Sequence, residues 1–303
     1  MKMKILITGS GGFIGYHLSE KLKGEKDKVI GIDNGFHLCK ANSRYLQADI
    51  RNAKLMDELI GKVDIVFHLA AQIHVDYSIK YPGETYDINL TGTLNILNAC
   101  LKHKRKLVFA STSEIYGTSQ SEFMNENHSL NPHSPYAASK LAADRLCYSY
   151  YKTYGLDIAI LRNFNTFGPF QNDNSYGGVI AKFTKRAFKN EPLEIYGNGE
   201  QQRDYMYIDD ALKGYEICAQ NNLNGRPINI GSGKTVKIKN IAKIIKNLTG
   251  SKSKIIHINS RPGEVERLCA KTNFAKKFGF VSGTDFEKDI AKYVKWYKDF
   301  HNL

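Results

Sequence analysis

The chain has 303 residues, enough to bury a sizeable core within one large domain or two modest ones. Its formal net charge is +13, so nucleic acid has to be considered as a partner. The excess lysines lie mostly on amphipathic helices predicted near the C-terminus, and no nucleic-acid-reading module accompanies them. No apolar stretch could cross a bilayer, and the first strand begins at once. We therefore expect a cytoplasmic protein without a signal peptide, a membrane anchor or a nucleic-acid partner.

The cysteines are scattered along the chain, and their number is odd. No two of them have the spacing of metal ligands, so we expect no metal site. We interpret all five as reduced, mostly buried apolar residues: Cys39, Cys100, Cys147, Cys218 and Cys269.

The chain begins with a strand, a glycine-rich turn and a helix. The apolar run Ile5 to Ile7 predicts a buried strand, and a helical pattern starts at Phe13. Backbone N–H groups at such a helix start attract phosphate, and glycines let the phosphate approach closely. The turn glycines are Gly9, Gly12 and Gly15.

An acidic residue follows at the expected distance. The second predicted strand, Lys28 to Ile32, ends at Asp33, eighteen residues after Gly15. A carboxylate there accepts the ribose hydroxyls of NAD and repels the 2′-phosphate of NADP. The sequence therefore predicts a site for NAD.

Strand and helix patterns then alternate. Predicted strands are Arg44–Ala48, Val63–Leu69, Lys106–Ser111 and Leu156–Arg162, and predicted helices are Leu55–Ile60, Tyr86–Lys102 and Tyr136–Tyr154. Because the strands are apolar on both faces, we predict an α/β protein with a Rossmann-type, doubly wound parallel sheet. Ligands of such sheets bind at the carboxyl ends of the strands.

The alternation stops after Arg162. The stretch Asn163–Gly178 is rich in Asn, Gly, Pro and aromatic residues and predicts a long functional loop. A helix (Val179–Lys189), a strand pair around residues 197–199, a strand (Pro227–Ile230) and a C-terminal amphipathic helix follow. We predict a nucleotide-binding domain of residues 1–162 with about 207–232. Residues of about 163–206 and 233–303 would form a smaller C-terminal α/β lobe for the substrate.

Tyr136 and Lys140 lie four residues apart, hence on one helix face. An ammonium about 4 Å from a phenol favours the phenolate by roughly 4 kcal/mol, about three pKa units. Tyr136 could then take a proton from a sugar hydroxyl that Thr112 holds, while the sugar carbon gives hydride to NAD.

Further motifs continue along nearly the whole chain: Asp49-Ile50, His68-Leu-Ala-Ala71, Asn89, Ser111-Thr-Ser-Glu-Ile-Tyr-Gly117, Arg162-Asn-Phe-Asn-Thr-Phe-Gly-Pro169, Gln202-Arg-Asp-Tyr205 and Arg261-Pro-Gly-Glu264. With the glycine turn and Asp33, they resemble the extended short-chain dehydrogenase/reductase family of NAD-dependent nucleotide-sugar epimerases, dehydratases and decarboxylases. The resemblance implies a nucleotide-diphosphate sugar as substrate and a tightly bound, recycled NAD.

The resemblance also implies residue roles. Thr112, Tyr136 and Lys140 match the catalytic triad of the family. Asn165, Arg203 and Arg261 match its diphosphate ligands, and His74, Thr112 and Ser113 would also face the substrate. The NAD ligands would be Gly9, Gly12, Phe13, Ile14, Gly15, Asp33, Asn34, Asp49, Ile50, Leu69, Ala70, Ala71, Asn89, Ser111, Tyr136 and Lys140.

For four of the motif residues, an interpretation without a functional role stays open. Arg203 could form a surface ion pair with Asp204 or Asp210, and Arg261 could be a solvated loop cation. His74 could be an ordinary loop histidine, and Glu114 could cap a loop or pair with a lysine.

Glu114 decides which reaction we expect. Its position matches the glutamate of sugar 4,6-dehydratases, and Gln72-Ile-His-Val75 resembles a segment of GDP-mannose 4,6-dehydratase. Decarboxylases of UDP-glucuronate share Thr-Ser-Glu, so Glu114 alone does not identify the reaction. In addition, Ser113 stands where dTDP-glucose dehydratases carry an aspartate that acts as the acid. We predict a 4,6-dehydratase, with a 4-epimerase as the first alternative and a UDP-glucuronate-type decarboxylase as the next. An NAD-binding sensor or scaffold without catalysis is the alternative from another class.

The predicted helices Tyr86–Lys102 and Tyr136–Tyr154 carry apolar residues beyond one face: Leu94, Leu97, Leu141, Leu146, Tyr148 and Tyr151. In the resembled family these two helices pair with their copies in a second subunit. We therefore expect a homodimer.

Overall fold

The strands of the fold position the site. A computed structural model describes residues 3–24, 28–35, 45–174 and 177–303. These residues form twelve strands: β1 (Lys4–Thr8), β2 (Lys28–Asp33), β3 (Leu46–Gln47), β4 (Ile65–His68), β5 (Lys106–Thr112), β6 (Ile158–Asn163), β7 (Asn165–Phe167), β8 (Leu193–Tyr196), β9 (Gln202–Tyr207), β10 (Pro227–Ile230), β11 (Thr235–Lys237) and β12 (Ile255–Ile258).

The same residues form eleven α-helices. They are α1 (Phe13–Gly24), α2 (Ala53–Ile60), α3 (Val75–Lys80), α4 (Pro82–Tyr86), α5 (Gly92–His103), α6 (Pro135–Tyr154), α7 (Val179–Phe188), α8 (Ile208–Gln220), α9 (Ile238–Thr249), α10 (Asn273–Lys276) and α11 (Phe286–Phe300). A π-helical turn, Asp87–Thr91, joins α4 to α5, and a 3₁₀ turn, Ser113–Tyr116, follows β5.

Seven strands form a central parallel sheet in the order β10-β6-β5-β4-β1-β2-β3. The chain runs outward from β1 to β3 and then crosses to β4 on the other side of β1. Such a reversal opens a crevice at the carboxyl ends of the two strands. The predicted Rossmann-type sheet is confirmed, and its crevice lies where Gly9 follows β1.

Gly9 allows the close approach of the β1–α1 turn to the end of β4. Its φ is +73°, in the left-handed region, and an added Cβ would lie 2.7 Å from the Ala70 nitrogen. Glycine is therefore needed at this position by the backbone itself.

The second half of the chain builds two small sheets. One has the order β11-β9-β7, and the other pairs β12 with β8. The two strands predicted around residues 197–199 are present as β8 and β9. The prediction that they pair with each other is wrong, because each pairs with strands elsewhere in the chain. The turn between them, with positive φ at Gly197 and Gly199, links two sheets.

Three predicted elements differ in detail. The stretch Asn163–Gly178 contains the short strand β7, which pairs in parallel with β9. The helix predicted from Tyr86 begins earlier, and its π-helical turn interrupts it. The third strand is only Leu46–Gln47, and Arg44, its predicted start, lies outside the described residues.

One hydrophobic cluster joins the two halves of the chain. It contains Ile5 and Phe67 of the central sheet together with Ile195, Ile241 and Tyr293 from the second half. The four cysteines within the described residues are free and buried. Cys39 lies outside these residues, and the two-domain division with its bounds stays a prediction.

The surface of α5 and α6 bears on the predicted homodimer. Leu94 is 36% exposed, but Leu97 is fully buried in the core because it faces the sheet. Leu97 is therefore withdrawn from the residues that would support a dimer. The dimer stays a prediction that light scattering tests, and a monomer at micromolar concentration would contradict it. Among the helices of the described residues, none combines the length and apolarity that crossing a membrane needs.

Candidate active site

A cleft of about 580 Å³ opens at the carboxyl edge of the central sheet. Its volume is within the range of small-molecule sites. All predicted cofactor, catalytic and substrate residues line it except Asn89. Those that line it are Gly9, Gly12, Phe13, Ile14, Gly15, Asp33, Asn34, Asp49, Ile50, Leu69, Ala70, Ala71, His74, Ser111, Thr112, Ser113, Glu114, Tyr136, Lys140, Asn165, Arg203 and Arg261.

Asn89 lies behind the cleft, on the π-helical turn. Its side-chain oxygen accepts from the Gln72 N–H at 2.8 Å, and its amide nitrogen donates to the Gln72 carbonyl and the Ser139 hydroxyl, each at 2.9 Å. Asn89 thereby supports the strap after β4 that lines the cleft, and its role as an NAD ligand stays a prediction.

That strap carries His74. The Gln72 side-chain oxygen accepts from the His74 N–H at 2.8 Å, so the strap is held from within as well. His74 is buried at the wall of the cleft.

Two carboxylates mark the cofactor end of the cleft. Asp33, at the end of β2, accepts from the Gly11 N–H at 3.1 Å and from the Gly35 N–H at 2.9 Å, which fixes its orientation. The Arg51 guanidinium donates hydrogen bonds to both carboxylate oxygens of Asp49, and the shortest of these bonds is 2.7 Å long. The bonds to Arg51 hold the pKa of Asp49 below its ordinary value.

Tyr136 is positioned by the start of α6. Ser134 caps this helix by accepting from the Ala137 N–H at 3.1 Å, and Pro135 occupies the first turn, as is usual for a helix start. The Tyr136 N–H donates to the Ser78 hydroxyl at 3.0 Å. The phenol therefore enters the cleft from a well-fixed backbone.

The electrostatics of Tyr136 differ from the sequence-based expectation. Burial raises the pKa of Tyr136, a hydrogen bond with Thr112 lowers it, and the negative charge of Glu114 raises it. The expectation that Lys140 lowers this pKa by about three units is therefore corrected: burial sets the direction, and Lys140 is not among the groups that shift the pKa.

Lys140 lies one helical turn after Tyr136. Its ammonium group sits over the Phe109 ring, 4.3 Å from the ring centre, and burial lowers its pKa to about 8. The charges of Cys147 and Asp144 act in the opposite direction. At neutral pH Lys140 therefore remains mostly protonated.

A buried ion pair supports the helix that carries Tyr136 and Lys140. Arg162 of β6 donates to Asp144 of α6 through two nitrogens, each at 3.0 Å, and both side chains are almost fully buried. The Ser111 hydroxyl donates to the same carboxylate at 2.7 Å. The end of β5 and the helix that carries Tyr136 and Lys140 are thereby tied together.

Glu114 contributes a carboxyl group to the cleft from the 3₁₀ turn after β5. Burial raises the pKa of Glu114, the cations Arg203 and Arg261 lower it, and the negative charge of Glu264 raises it. The net direction is upward. Such a carboxyl group exchanges a proton more readily near neutral pH than an exposed glutamate does.

The two candidate diphosphate ligands are already paired with carboxylates. Arg203 donates to Glu264 at 2.7 Å, so neither predicted partner, Asp204 nor Asp210, is the correct one. Arg261 lies 3.0 Å from Asp76.

The alternative partners of Arg203 are engaged elsewhere. Asp204 accepts from Ser232, Gly233 and Ala270, and Asp210 accepts from the stretch 282–284. The Arg261 guanidinium also lies over the Tyr196 ring, 4.6 Å from its centre. It is therefore not the solvated loop cation of the alternative interpretation.

Sequence reasoning missed several residues that line the cleft. Glu264 belongs to the motif Arg261-Pro-Gly-Glu264, so its place in that motif could have pointed to the cleft. No such signal marked four others, because elements far apart in the chain bring them to the cleft: Asp76, Lys182, Tyr196 and Gln201.

The residues at the cofactor end fit NAD. The glycine turn lies against the end of β4, the N-terminus of α1 follows it, and an added Cβ on Gly12 would meet only the Gly9 oxygen, at 3.3 Å. This side of the turn is therefore open to a pyrophosphate. The fixed Asp33 carboxylate suits ribose hydroxyls.

Comparison with known proteins agrees with this geometry. Residues 5–231 match the family model Epimerase, described as the NAD dependent epimerase/dehydratase family. UDP-N-acetyl-alpha-D-glucosaminuronate decarboxylase of Bacillus cytotoxicus is 33% identical, with 100% of both chains covered. A putative UDP-glucose 4-epimerase of Methanocaldococcus jannaschii is 35% identical, with 97% of this chain and 98% of the relative covered.

Solved structures show the same architecture. UDP-glucose 4-epimerase of Thermotoga maritima, solved with UDP-glucose, has a TM-score of 0.94 at 29% identity and covers 99% of this chain and 100% of its own. DesIV, the dTDP-glucose 4,6-dehydratase of Streptomyces venezuelae solved with NAD bound, has a TM-score of 0.93 at 28% identity, covering 99% and 98%. The chain belongs to the NAD-dependent epimerase/dehydratase family of nucleotide-sugar enzymes, and its cofactor is NAD.

Proposed function

We propose that the protein oxidises carbon 4 of a nucleotide-diphosphate sugar and then removes water across carbons 5 and 6, as a sugar-nucleotide 4,6-dehydratase. The observation that carries the proposal is the Glu114 carboxyl. It lines the same cleft as Tyr136, influences the pKa of that phenol, and has a raised pKa of its own. A carbon-4 epimerisation would leave this group without a task.

The first step needs a base for the hydroxyl on carbon 4. Tyr136 takes this proton, and Thr112, hydrogen-bonded to the phenol, holds the same hydroxyl in place. Burial raises the pKa of this phenol, so the phenol must lose its own proton before it can act as the base. A bound NAD would favour that loss through its positively charged nicotinamide ring and would supply the acceptor for the carbon 4 hydride. After water has left, the hydride would return to carbon 6, and carbon 5 would regain a proton to replace the one Tyr136 took.

The second step belongs to Glu114. The ketone at carbon 4 makes the proton on carbon 5 acidic, and the Glu114 carboxylate removes it. The carbon 6 oxygen takes this proton from Glu114 as its bond to carbon 6 breaks, so water leaves and a double bond forms between carbons 5 and 6. Glu114 acts as base and then as acid because the neighbouring Ser113 hydroxyl is too weak an acid to help.

Decarboxylation is the second candidate, and Ser113 is the observation that favours it. Loss of carbon dioxide from a 4-keto uronate needs no acid for a leaving hydroxyl, so a serine beside Glu114 suffices. The carbon–carbon bond breaks, its electrons pass into the ketone, and Glu114 protonates carbon 5. The relative from Bacillus cytotoxicus is a decarboxylase by name.

Mass spectrometry of a substrate panel tests the proposal. The panel is UDP-glucose, UDP-N-acetylglucosamine, UDP-glucuronate, GDP-mannose and dTDP-glucose. A product lighter by one water supports the dehydratase, and loss of carbon dioxide moves the function to a decarboxylase. Unchanged mass with a new epimer in NMR spectra means an epimerase. Turnover of no sugar nucleotide would point to a sensor or scaffold.

The variant Glu114→Gln tests the role of the carboxyl group. We expect at least about 100-fold slower product formation, because the general base is gone, while reduction of the bound cofactor upon substrate addition continues. Glu191→Gln, at an exposed position outside the cleft, is the matched control. Product formation at the parent rate in Glu114→Gln would refute elimination through this residue.

A further inference from the structure

The stretch 168–174, called here the recognition segment, is attached to the C-terminal helix by an aromatic contact. The Phe170 ring lies 5.0 Å from Trp296 and 5.3 Å from Phe300 of α11, measured between ring centres. The same ring lies 5.2 Å from the Tyr16 ring of α1. Phe170 therefore contacts both the first helix and the last.

A hydrogen bond makes a second attachment three residues later. Asp173 is 4% exposed and accepts from the Tyr297 hydroxyl of α11 at 2.7 Å. Lys185 lies 3.5 Å from the same carboxylate. Trp296 contacts Phe170, and the next residue, Tyr297, binds Asp173. Two consecutive residues of α11 therefore hold the first and the last residue of the stretch 170–173.

The residues between the two attachments face the cleft. Gln171 and Asn172 both line it. The Gln171 amide nitrogen donates to the Thr166 carbonyl at 2.9 Å, while its amide oxygen is buried and finds no donor among the described residues. A buried acceptor of this kind is normally satisfied, so it suits an N–H or O–H group of a ligand.

The backbone of Phe170 shows how firmly the segment is held. Its φ is +64°, a conformation that is costly for a bulky residue. The ring contacts and the hydrogen bond between the His17 ring and the Pro169 carbonyl, 2.9 Å long, keep the chain in it. The conformation of the segment is thus imposed by contacts with its neighbours and does not reflect the preference of Phe170 itself.

We propose that α11 is a positioning element for nucleotide recognition: through Phe170 and Asp173 it holds Gln171 and Asn172 where they meet the nucleoside diphosphate part of the substrate. The inference rests on the proposed nucleotide-sugar substrate and adds a task for the end of the chain. Trp296 and Tyr297 act through the segment and do not touch the reacting atoms.

Two variants test the positioning role, with UDP, dTDP and GDP as calorimetric probes. Tyr297→Phe removes one hydroxyl and should weaken the Kd of the tightest probe about 5- to 10-fold, because a small displacement of a binding group is costly. The KM of the sugar nucleotide should rise similarly, while kcat and the amount of bound NAD stay unchanged. Ile290→Val, two turns earlier on the buried face of α11, is the control that lowers Tm without changing Kd.

Phe170→Gly separates anchoring from ordinary loop strain. Glycine adopts a φ of +64° freely, so a segment that needed no anchor would bind the probe as well as before, or better. We expect a Kd weakened at least 10-fold. Parent-like affinity in both variants overturns the inference while leaving the proposed function intact. If the parent protein binds none of the three diphosphates, the proposed function fails first and the inference falls with it.

Discussion

The two ends of the cleft are built in different ways. At the cofactor end, one short stretch after β1 supplies the glycine turn, and its backbone makes the surface that phosphate would meet. At the substrate end, separate stretches each supply one or two side chains: α3 gives Asp76, the 3₁₀ turn gives Glu114, β9 gives Arg203, and the turn near residue 263 gives Arg261. The first end is a local structure, and the second exists only after the chain has folded.

Charge is handled differently at the two ends as well. The glycine turn offers partial charges that need no counter-ion. Arg203 and Arg261 are full charges in a partly buried site, and each has a carboxylate beside it. A buried charge without a partner is costly, and these carboxylates therefore stabilise the two arginines in their positions.

The largest effect is expected where the two ends meet, at Tyr136. Tyr136→Phe removes the base for the carbon 4 hydroxyl, and kcat should fall about 10²- to 10⁴-fold. The Kd of a nucleoside diphosphate should stay unchanged, since the substrate end is not altered. Tyr154→Phe, at a 57% exposed position, is the control. A kcat within a factor of three of the parent would contradict the assignment of Tyr136.

Gly15→Ala should break the cofactor end alone. The added Cβ would collide with the Gly9 oxygen, so the turn must move, at a cost of about 1–3 kcal/mol in the free energy of unfolding. We expect purified protein with little bound NAD and an unchanged Kd for the nucleoside diphosphate. Gly83→Ala, where an added Cβ meets nothing within 4 Å, is the control. Full NAD content in Gly15→Ala would show that the turn tolerates a side chain.

Arg203→Lys should weaken the substrate end alone. Lysine keeps the charge but loses the planar fork, and one lost charge-assisted hydrogen bond is worth about 1.5 kcal/mol, roughly a tenfold rise in KM. Steady-state kinetics and NAD content measure the two ends separately. Arg226→Lys, at an exposed position outside the cleft, controls for the exchange itself. An unchanged KM would remove Arg203 from the substrate site.

The smallest effect is expected in the pH dependence. Glu114 must be ionised to act as a base, so kcat/KM should fall as the pH drops through its raised pKa. Glu264 raises this pKa by charge repulsion, and Glu264→Gln removes the repulsion and frees Arg203 to lower it further. The acidic limb of the profile should therefore move to lower pH. Glu266→Gln, exposed and two residues later, should leave the limb in place. A shift to higher pH would mean that the limb belongs to another group.

Much of the cleft could be predicted because parallel strands bring their carboxyl ends to one edge. Asp33 after β2, Thr112 at the end of β5 and the glycines after β1 meet for this reason alone. The strand pair around residues 197–199 was wrong because a turn signal is local, whereas β8 pairs with β12, about sixty residues away. The π-helical turn that directs the Asn89 amide toward Gln72 could not be predicted, because hydrophobic periodicity does not reveal such a turn.

The sequence by itself determined the parallel sheet, the glycine turn and the helical spacing of Tyr136 and Lys140, because these depend on hydrophobic pattern and on residues close in the chain. Only the tertiary structure decided the pairing of Arg203 with Glu264, the raised pKa values of Tyr136 and Glu114, and the attachment of the recognition segment to α11. Each of these depends on contacts between residues far apart in sequence and on the exclusion of water around them. Neither the contacts nor the burial has a signature in the local pattern of residues.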